Sequence, residues 1–327
     1  MRVSDKVKVL YIAGSGRSGS TVVAQVLAEV PGWVGCGELR LGVPVLLQDR
    51  LCGCGERAQR CPFWHAVMAA AFGGFDLAVL RRGAELMKRV ALNRHTALHF
   101  LPLENTRFGR EVREYASIIE RIYQGVRAVT GCEVIVDTSK LPAYFLALGN
   151  APTLDLRTVQ IVRDSRAVAF SNQRRVVDPA NPDVTRYMPQ QCLALTSIAW
   201  DMKNAFIAGA MAKRGGQIMV RYEDFVSRPG EQIERVLRFA SSDQSPPSIT
   251  RGQLEIGTHH TTAGNPMRFH KGTLRLRLDD EWHDRMKRRD RALVTALTWP
   301  MLALYGYAPG RTSAARRSGA ISKTAHG

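Results

Sequence analysis

The stretch KVKVLYIAGSGRSGST, residues 6–21, decides how the rest of the chain is read. Residues 6–13 form a short aliphatic run, the pattern of a strand buried inside a parallel sheet. A glycine-rich turn follows. Gly14 and Gly19 occupy the two glycine positions of the phosphate-loop pattern G-x-x-x-x-G-K-[ST], and Thr21 occupies its hydroxyl position, but Ser20 stands where the lysine belongs. Gly14, Gly16 and Gly19 let the backbone turn tightly with its N–H groups inward, and a helix beginning near Ser20 adds its positive end. The loop is therefore built for an anion. Ser18, Ser20 and Thr21 add donors, and Arg17 is its only cation.

Outward from this loop, the chain alternates strands and helices. Further strands are expected at 133–137 (EVIVD), 157–163 (RTVQIVR) and 217–222 (QIMVRY). Helices are expected over 20–30, 107–130, 165–176, 189–214, 229–241 and 280–306, with long loops at 178–188 and 242–278. This is the order of an α/β fold: a doubly wound parallel sheet of phosphate-loop type, with helices on both faces. A helix-rich insertion, 42–130, separates the first two expected strands and is placed on the substrate side, because ligands lie at the carboxyl ends of such strands. One domain over 1–308 is expected, with a disordered basic tail over 309–327.

The 327 residues, 45% of them apolar, are enough to bury a large core. With 46 Lys and Arg against 29 Asp and Glu, the net charge of +17 favours anionic partners. No apolar run of 18 residues occurs. ALVTALTWPMLALYGY, 292–307, comes nearest and is interrupted by Pro300, so a core helix and no stable membrane insertion are expected. The first strand near Lys6 leaves no room for a leader, and a cytoplasmic location is expected. The basic residues are dispersed and no recognition motif accompanies them, so nucleic acid is not expected as a partner.

A second anion site is written into VQIVRDSRAVAFSNQRR, 159–175. Arg163 ends a strand, Ser171 follows eight residues later, and Arg175 lies four beyond on the same helix face. The two segments together resemble the cofactor signatures of the sulfotransferases, which use 3′-phosphoadenosine 5′-phosphosulfate. The resemblance implies that Gly16, Arg17, Ser18, Gly19, Ser20 and Thr21 hold the 5′-phosphosulfate, and that Arg163, Ser171 and Arg175 hold the 3′-phosphate.

Other segments are similar to the same family across roughly 6–308. GCGELR, 35–40, resembles the motif of tyrosylprotein sulfotransferases and related bacterial enzymes whose glutamate is the catalytic base, here Glu38. DTSK, 137–140, resembles the segment of a second catalytic cation, Lys140. VRYEDF, 220–225, is similar to the strand whose tyrosine, Tyr222, lies near the nucleotide. GNPMRFHKG, 264–272, resembles the late loop whose basic residues, Arg268 and Lys271, close over the cofactor.

The chemistry supports the same reading. A sulfuryl group carries one charge fewer than a phosphoryl group, so a loop without the lysine suits it, and no metal clamp is required. Glu38 takes the acceptor's proton while Arg17 and Lys140 neutralise charge on the leaving oxygens. His259 or His260 is an alternative base, and Glu38 could instead pair with Arg40. The acceptor stays open: a small molecule, glycolipid, glycan or peptide tyrosine, presenting a hydroxyl or an amine. The oligomeric state stays open too.

Two rival functions are a kinase or nucleoside triphosphatase, with Asp137 holding magnesium, and a basic nucleic-acid-binding protein. The missing lysine counts against the first.

The cysteines form a separate pattern. Cys52, Cys54 and Cys61 fall within ten residues, while Cys36, Cys132 and Cys192 are scattered. Zinc with His65 or Cys36 as fourth ligand is one option, although C-x-C lacks the usual C-x-x-C bite. A disulfide is the other, disfavoured in a reducing compartment. No metal is assigned from sequence.

Overall fold

The computed structural model describes residues 6–178, 186–214 and 216–307. The expected tail, and most of the expected loop at 178–188, lie outside the described residues. In chain order the elements are β1 (Val7–Gly14), α1 (Ser20–Ala28), β2 (Trp33–Gly37), α2 (Leu39–Leu47), α3 (Pro62–Phe72), α4 (Leu77–Val90) and α5 (Arg107–Thr130). Then come β3 (Val134–Lys140), α6 (Pro142–Leu148), β4 (Leu154–Val162), α7 (Ser165–Asn172), β5 (Val177–Asp178), β6 (Arg186–Tyr187) and α8 (Leu193–Arg214). The chain continues through β7 (Gln217–Arg221), α9 (Tyr222–Ser227), α10 (Pro229–Phe239), β8 (Gln253–Ile256), β9 (Gly272–Arg275), α11 (Trp282–Arg285) and α12 (Arg288–Leu304).

Five strands form one parallel sheet in the order β2-β3-β1-β4-β7. β1 is central, and Val9 through Ala13 are at most 1% exposed. Its side chains alternate between two cores, as the pleat requires. Val9, Tyr11 and Ala13 face the cluster built with α3, α4, α5 and α6, whereas Leu10 and Ile12 face the cluster built with α1, α9 and α10. Helices therefore cover both faces, as the doubly wound reading expects.

The sheet has one strand more than the sequence reading gave it. β2, WVGCG, is short, contains two glycines and sits at the edge, so it carries little of the β-branched signal by which strands are recognised. The helical insertion thus follows β2, separating the second and third strands of the chain rather than the first and second. α6 was also unexpected. Seven consecutive buried residues, PAYFLAL, hide helical periodicity because no face of this helix meets water.

The expected helix bounds differ most in three places. α7 stops at Asn172 rather than 176, α8 begins at Leu193 rather than 189, and 280–306 divides into α11 and α12 where Met286 and Lys287 turn extended. The expected loop at 242–278 contains the antiparallel pair β8–β9. α12 buries Val294, Thr298 and Leu302 and leaves Trp299 and Leu304 exposed, so the apolar C-terminal stretch is a one-sided surface helix. No single described helix is long and apolar enough to cross a membrane; α3 and α4 pass that test only as a pair bent by 90°.

Candidate active site

The carboxyl ends of β1, β2, β3 and β4 open into one cleft of about 710 Å³. The glycine loop forms its floor. Gly14 and Gly19 have φ of +153° and +84°, backbone that L side chains rarely adopt. A Cβ on Gly14 would stand 2.5 Å from the Ile161 carbonyl oxygen, and one on Gly19 would enter the Tyr222 ring. Arg17 is itself left-handed, with φ +64°.

Gly19 is the N-cap of α1, and no side chain caps that end. The N–H groups of the first turn are left without intrahelical partners and lie beside Gly16, Arg17, Ser20 and Thr21, which line the cleft. Ser18 is buried beneath them and donates to the Ser15 carbonyl oxygen at 2.7 Å, so it shapes the loop.

Arg163 leaves the end of β4 and is 5% exposed. Its guanidinium donates to the Arg17 carbonyl oxygen at 3.1 Å, lies 4.7 Å over the Tyr222 ring and pairs with Asp279 at 3.1 Å. Tyr222 thereby braces both Gly19 and Arg163. Ser171, on buried α7, lines the same wall.

Because α7 ends at Asn172, Arg175 does not share its face. Its guanidinium lies 3.9 Å over the exposed Tyr187 ring, away from the cleft lining. Arg174 takes the place expected for it, lining the cleft and pairing with Asp279 at 3.1 Å.

The charge balance at this wall favours an anion. Burial and the neighbouring Arg174 cation both pull the Arg17 pKa down. Burial pushes the Asp279 carboxyl up, but Arg163 and Arg174 outweigh it and hold the group below its ordinary value. Among the described residues no carboxylate pairs with Arg17. Two acids, Asp279 and the exposed Glu281, thus face three arginines.

Glu38 and Lys140 meet across the other end of the cleft, at 2.5 Å, with side chains 15% and 12% exposed. Glu38 closes β2 and is the N-cap of α2, and its N–H donates to the Ala263 carbonyl oxygen at 3.1 Å. Lys140 closes β3 with φ +66°, beyond a register shift between β1 and β3 that re-aims the strand end. The partner of Glu38 is therefore Lys140. Arg40 instead sets its Nη1 3.8 Å from the Met87 sulfur. Lys203, on α8, was not singled out by sequence; burial pulls its pKa down, and the Lys140 cation adds to this.

The late loop supplies the remaining wall through Thr262, Ala263, Gly264 and Asn265. Arg268 reaches the cleft, but it is 3% exposed and spends its guanidinium on the carbonyl oxygens of Thr261 and Leu51. Burial pushes its pKa down to about 10. Lys271 is not among the lining residues, and its Nζ donates to the Cys54 carbonyl oxygen at 3.1 Å. His259 pairs with Glu29 at 2.8 Å, and His260 points its Nδ1 at cysteine sulfurs. Neither histidine lines the cleft.

Asp137 is fully buried and accepts from the Ser139 N–H at 2.7 Å and from the hydroxyls of Ser139, Tyr123 and Tyr144. Burial pushes its pKa up, opposed by the Ser139 and Tyr123 hydrogen bonds. Its oxygens are taken up beneath the sheet end, and it is absent from the cleft lining.

A parallel sheet whose central strand runs into a glycine loop and an uncapped helix end defines a phosphate-loop-like α/β protein. The sequence profile of the sulfotransferase family matches residues 10–246, most of the chain, and the chain belongs to that family of transferases. Carbohydrate sulfotransferase 1 of Homo sapiens is 26% identical over 151 residues, 38% of this chain and 35% of that protein. The match thus spans about a third of the human relative's length.

Among solved structures, the sulfotransferase domain of the Synechococcus PCC 7002 olefin synthase is similar at a TM-score of 0.49 and 20% identity, over 91% of this chain and 95% of that one. The sulfotransferase domain of the curacin biosynthetic pathway is similar at 0.47 and 15%, over 89% and 98%.

Proposed function

We propose that this sulfotransferase takes 3′-phosphoadenosine 5′-phosphosulfate as donor and moves its sulfuryl group in line to a hydroxyl or amine of a small molecule, glycolipid or glycan. The observation that carries the reading is one cleft with a cationic wall at one end and the Glu38–Lys140 pair at the other. The residues fit such a donor: uncapped N–H groups at the start of α1 meet an anion, and Arg17 has no acidic partner among the described residues.

When bound, the donor supplies an activated sulfuryl group on a phosphate leaving group. Gly16, Arg17, Ser20 and Thr21 hold the phosphosulfate end, Arg163 and Ser171 hold the 3′-phosphate, and Arg174 replaces Arg175 beside them. Glu38 accepts the proton of the attacking hydroxyl as its oxygen bonds to sulfur and the bond from sulfur to the phosphate oxygen breaks. Lys140 and Arg17 stabilise the charge that gathers on that leaving oxygen, a contact worth roughly 3 kcal/mol when removed. Magnesium has no part in this scheme.

The test is mass spectrometry of cell extract incubated with the enzyme and isotopically labelled donor. Products heavier by one labelled SO₃ are expected. Labelled inorganic sulfate as the only product, across extracts that include glycans and glycolipids, would count against transfer to a hydroxyl or amine.

A further inference from the structure

The late wall of the cleft rests on a group of side chains that takes no part in sulfuryl transfer. Residues 51–58 fold into a tight knuckle: the Cys52 N–H donates to the Glu56 carbonyl oxygen at 2.8 Å, the Gly55 N–H donates back to Cys52 at 2.9 Å, and Leu51 bridges Arg57. The sulfurs of Cys52, Cys54 and Cys61 and the Nδ1 of His260 all lie within 4.8 Å of one another. His65 and Cys36 are not in this group. His65 packs on Phe75, and Cys36 is buried in β2.

We propose that Cys52, Cys54, Cys61 and His260 bind one zinc ion in a closed tetrahedral site that clamps the late loop to the helical insertion. Three edges of the cluster have tetrahedral size. Zinc with sulfur at about 2.3 Å and nitrogen at about 2.0 Å sets edges of about 3.8 Å between sulfurs and about 3.5 Å between sulfur and nitrogen. The structure has 3.7 Å between the Cys54 and Cys61 sulfurs, and 3.2 and 3.9 Å from His260 Nδ1 to the sulfurs of Cys61 and Cys52. A disulfide would need about 2.05 Å.

The surroundings suit thiolates. Cys61 is the N-cap of the eleven-residue α3, at its positive end. Three thiols lose their protons to solvent on binding, so zinc with three thiolates and a neutral imidazole carries one net negative charge. Lys271, on the Cys54 carbonyl oxygen, and Arg268, on the Leu51 carbonyl oxygen, offset it.

The fourth ligand is held for the purpose. The His260 ring stacks on Phe63 at 4.7 Å, and its carbonyl oxygen accepts from the Trp64 indole N–H at 2.9 Å. Soft sulfur donors in a compact tetrahedron select zinc over magnesium or calcium. The site stands clear of the reaction, with all four coordination positions filled by protein as in structural zinc centres. Its effect on the cleft is mechanical, because Thr262 and Ala263 lie two and three residues after His260 and form the wall beside Glu38.

Elemental analysis of the full chain, expressed with zinc and desalted, tests the proposal together with cobalt substitution. About one zinc per chain is expected, and cobalt should give the visible bands and sulfur charge-transfer absorption of a tetrahedral thiolate site. Cys61→Ser and His260→Ala should each weaken zinc affinity by roughly 100-fold or more, whereas Cys192→Ser, at an exposed cysteine outside the cluster, should leave it unchanged. If Cys61→Ser fails to fold, the cobalt spectrum of the wild-type chain decides. A metal-free chain without those bands, zinc retained at wild-type affinity by both ligand variants, or a mass deficit marking a disulfide would each overturn the proposal. These readouts need neither donor nor acceptor, so they stand apart from the sulfuryl-transfer reading.

Discussion

The glycine loop and the late loop form facing parts of one cleft, yet they are held in opposite ways. Residues 14–21 are shaped mainly by their own sequence: positive φ at Gly14, Arg17 and Gly19, a local Ser18 bond and the start of α1. Residues 257–272 lean on distant chain. The Thr262 N–H donates to Cys36, Gly53 donates to Thr261, Arg268 spans to Leu51, and the Gly257 N–H donates to Glu29. The glycine loop thus takes its shape largely from its own backbone, with Arg163 and Tyr222 bracing it from outside, whereas the wall beside Glu38 depends for its position on β2, the end of α1 and the insertion. Damage to chemistry and damage to support should therefore separate.

The largest separation is expected at Glu38. Replacing it with Gln keeps the shape and removes the base, so turnover should fall by roughly 10²- to 10⁴-fold. Affinity for adenosine 3′,5′-bisphosphate should hold or rise slightly. Stopped assays and calorimetry on the same preparation check both halves. Loss of binding along with turnover would make Glu38 a brace, and near-full turnover would place the base elsewhere.

Next comes Arg163→Ala, which removes one charge-assisted contact worth roughly 1.5 to 3 kcal/mol, or about ten- to hundredfold in affinity. The loss should appear for the 3′,5′-bisphosphate and be absent for AMP. Ser171→Ala should show the same selectivity with a smaller amplitude. Equal losses for both nucleotides would mean that this wall does not read the 3′-phosphate.

A smaller effect is expected at Asp279. Its carboxylate neutralises Arg163 and Arg174 and so competes with an incoming phosphate, and Asp279→Asn should raise bisphosphate affinity by a few-fold. The same pairing should stabilise the fold. Because the folded pKa is depressed, that contribution is present above the unfolded carboxylate range and is lost as pH falls through the folded value. Thermal melts of the two proteins should converge in acid. Unchanged affinity and a constant gap between the melts would contradict this.

The smallest effect is a null one. Brief EDTA followed by magnesium should leave turnover unchanged, as measured by initial rates. Activity lost to EDTA and restored by magnesium, but not by zinc, would return the cleft to metal-assisted phosphoryl chemistry.

Legibility followed locality. β1, β3, β4 and β7 announced themselves by aliphatic runs, and the glycine loop, Glu38, Lys140 and Arg163 were all found from short contiguous motifs. β2 was missed because WVGCG is glycine-rich and lies at the sheet edge. Arg174 was passed over for Arg175 because helical spacing was extended past Asn172, where α7 ends. Asp279, Lys203 and the His260 contact to Cys61 could not be read at all. Each depends on residues brought together by the fold, the last across 199 positions.

The cleft's assignment is tested most directly by calorimetry of the wild-type protein with adenosine 3′,5′-bisphosphate, AMP and ADP. Two separate anion sites, the glycine loop and the Arg163–Ser171–Arg174 wall, predict that the 3′,5′-bisphosphate binds at least about tenfold more tightly than either of the others. Equal affinity for all three nucleotides would contradict it.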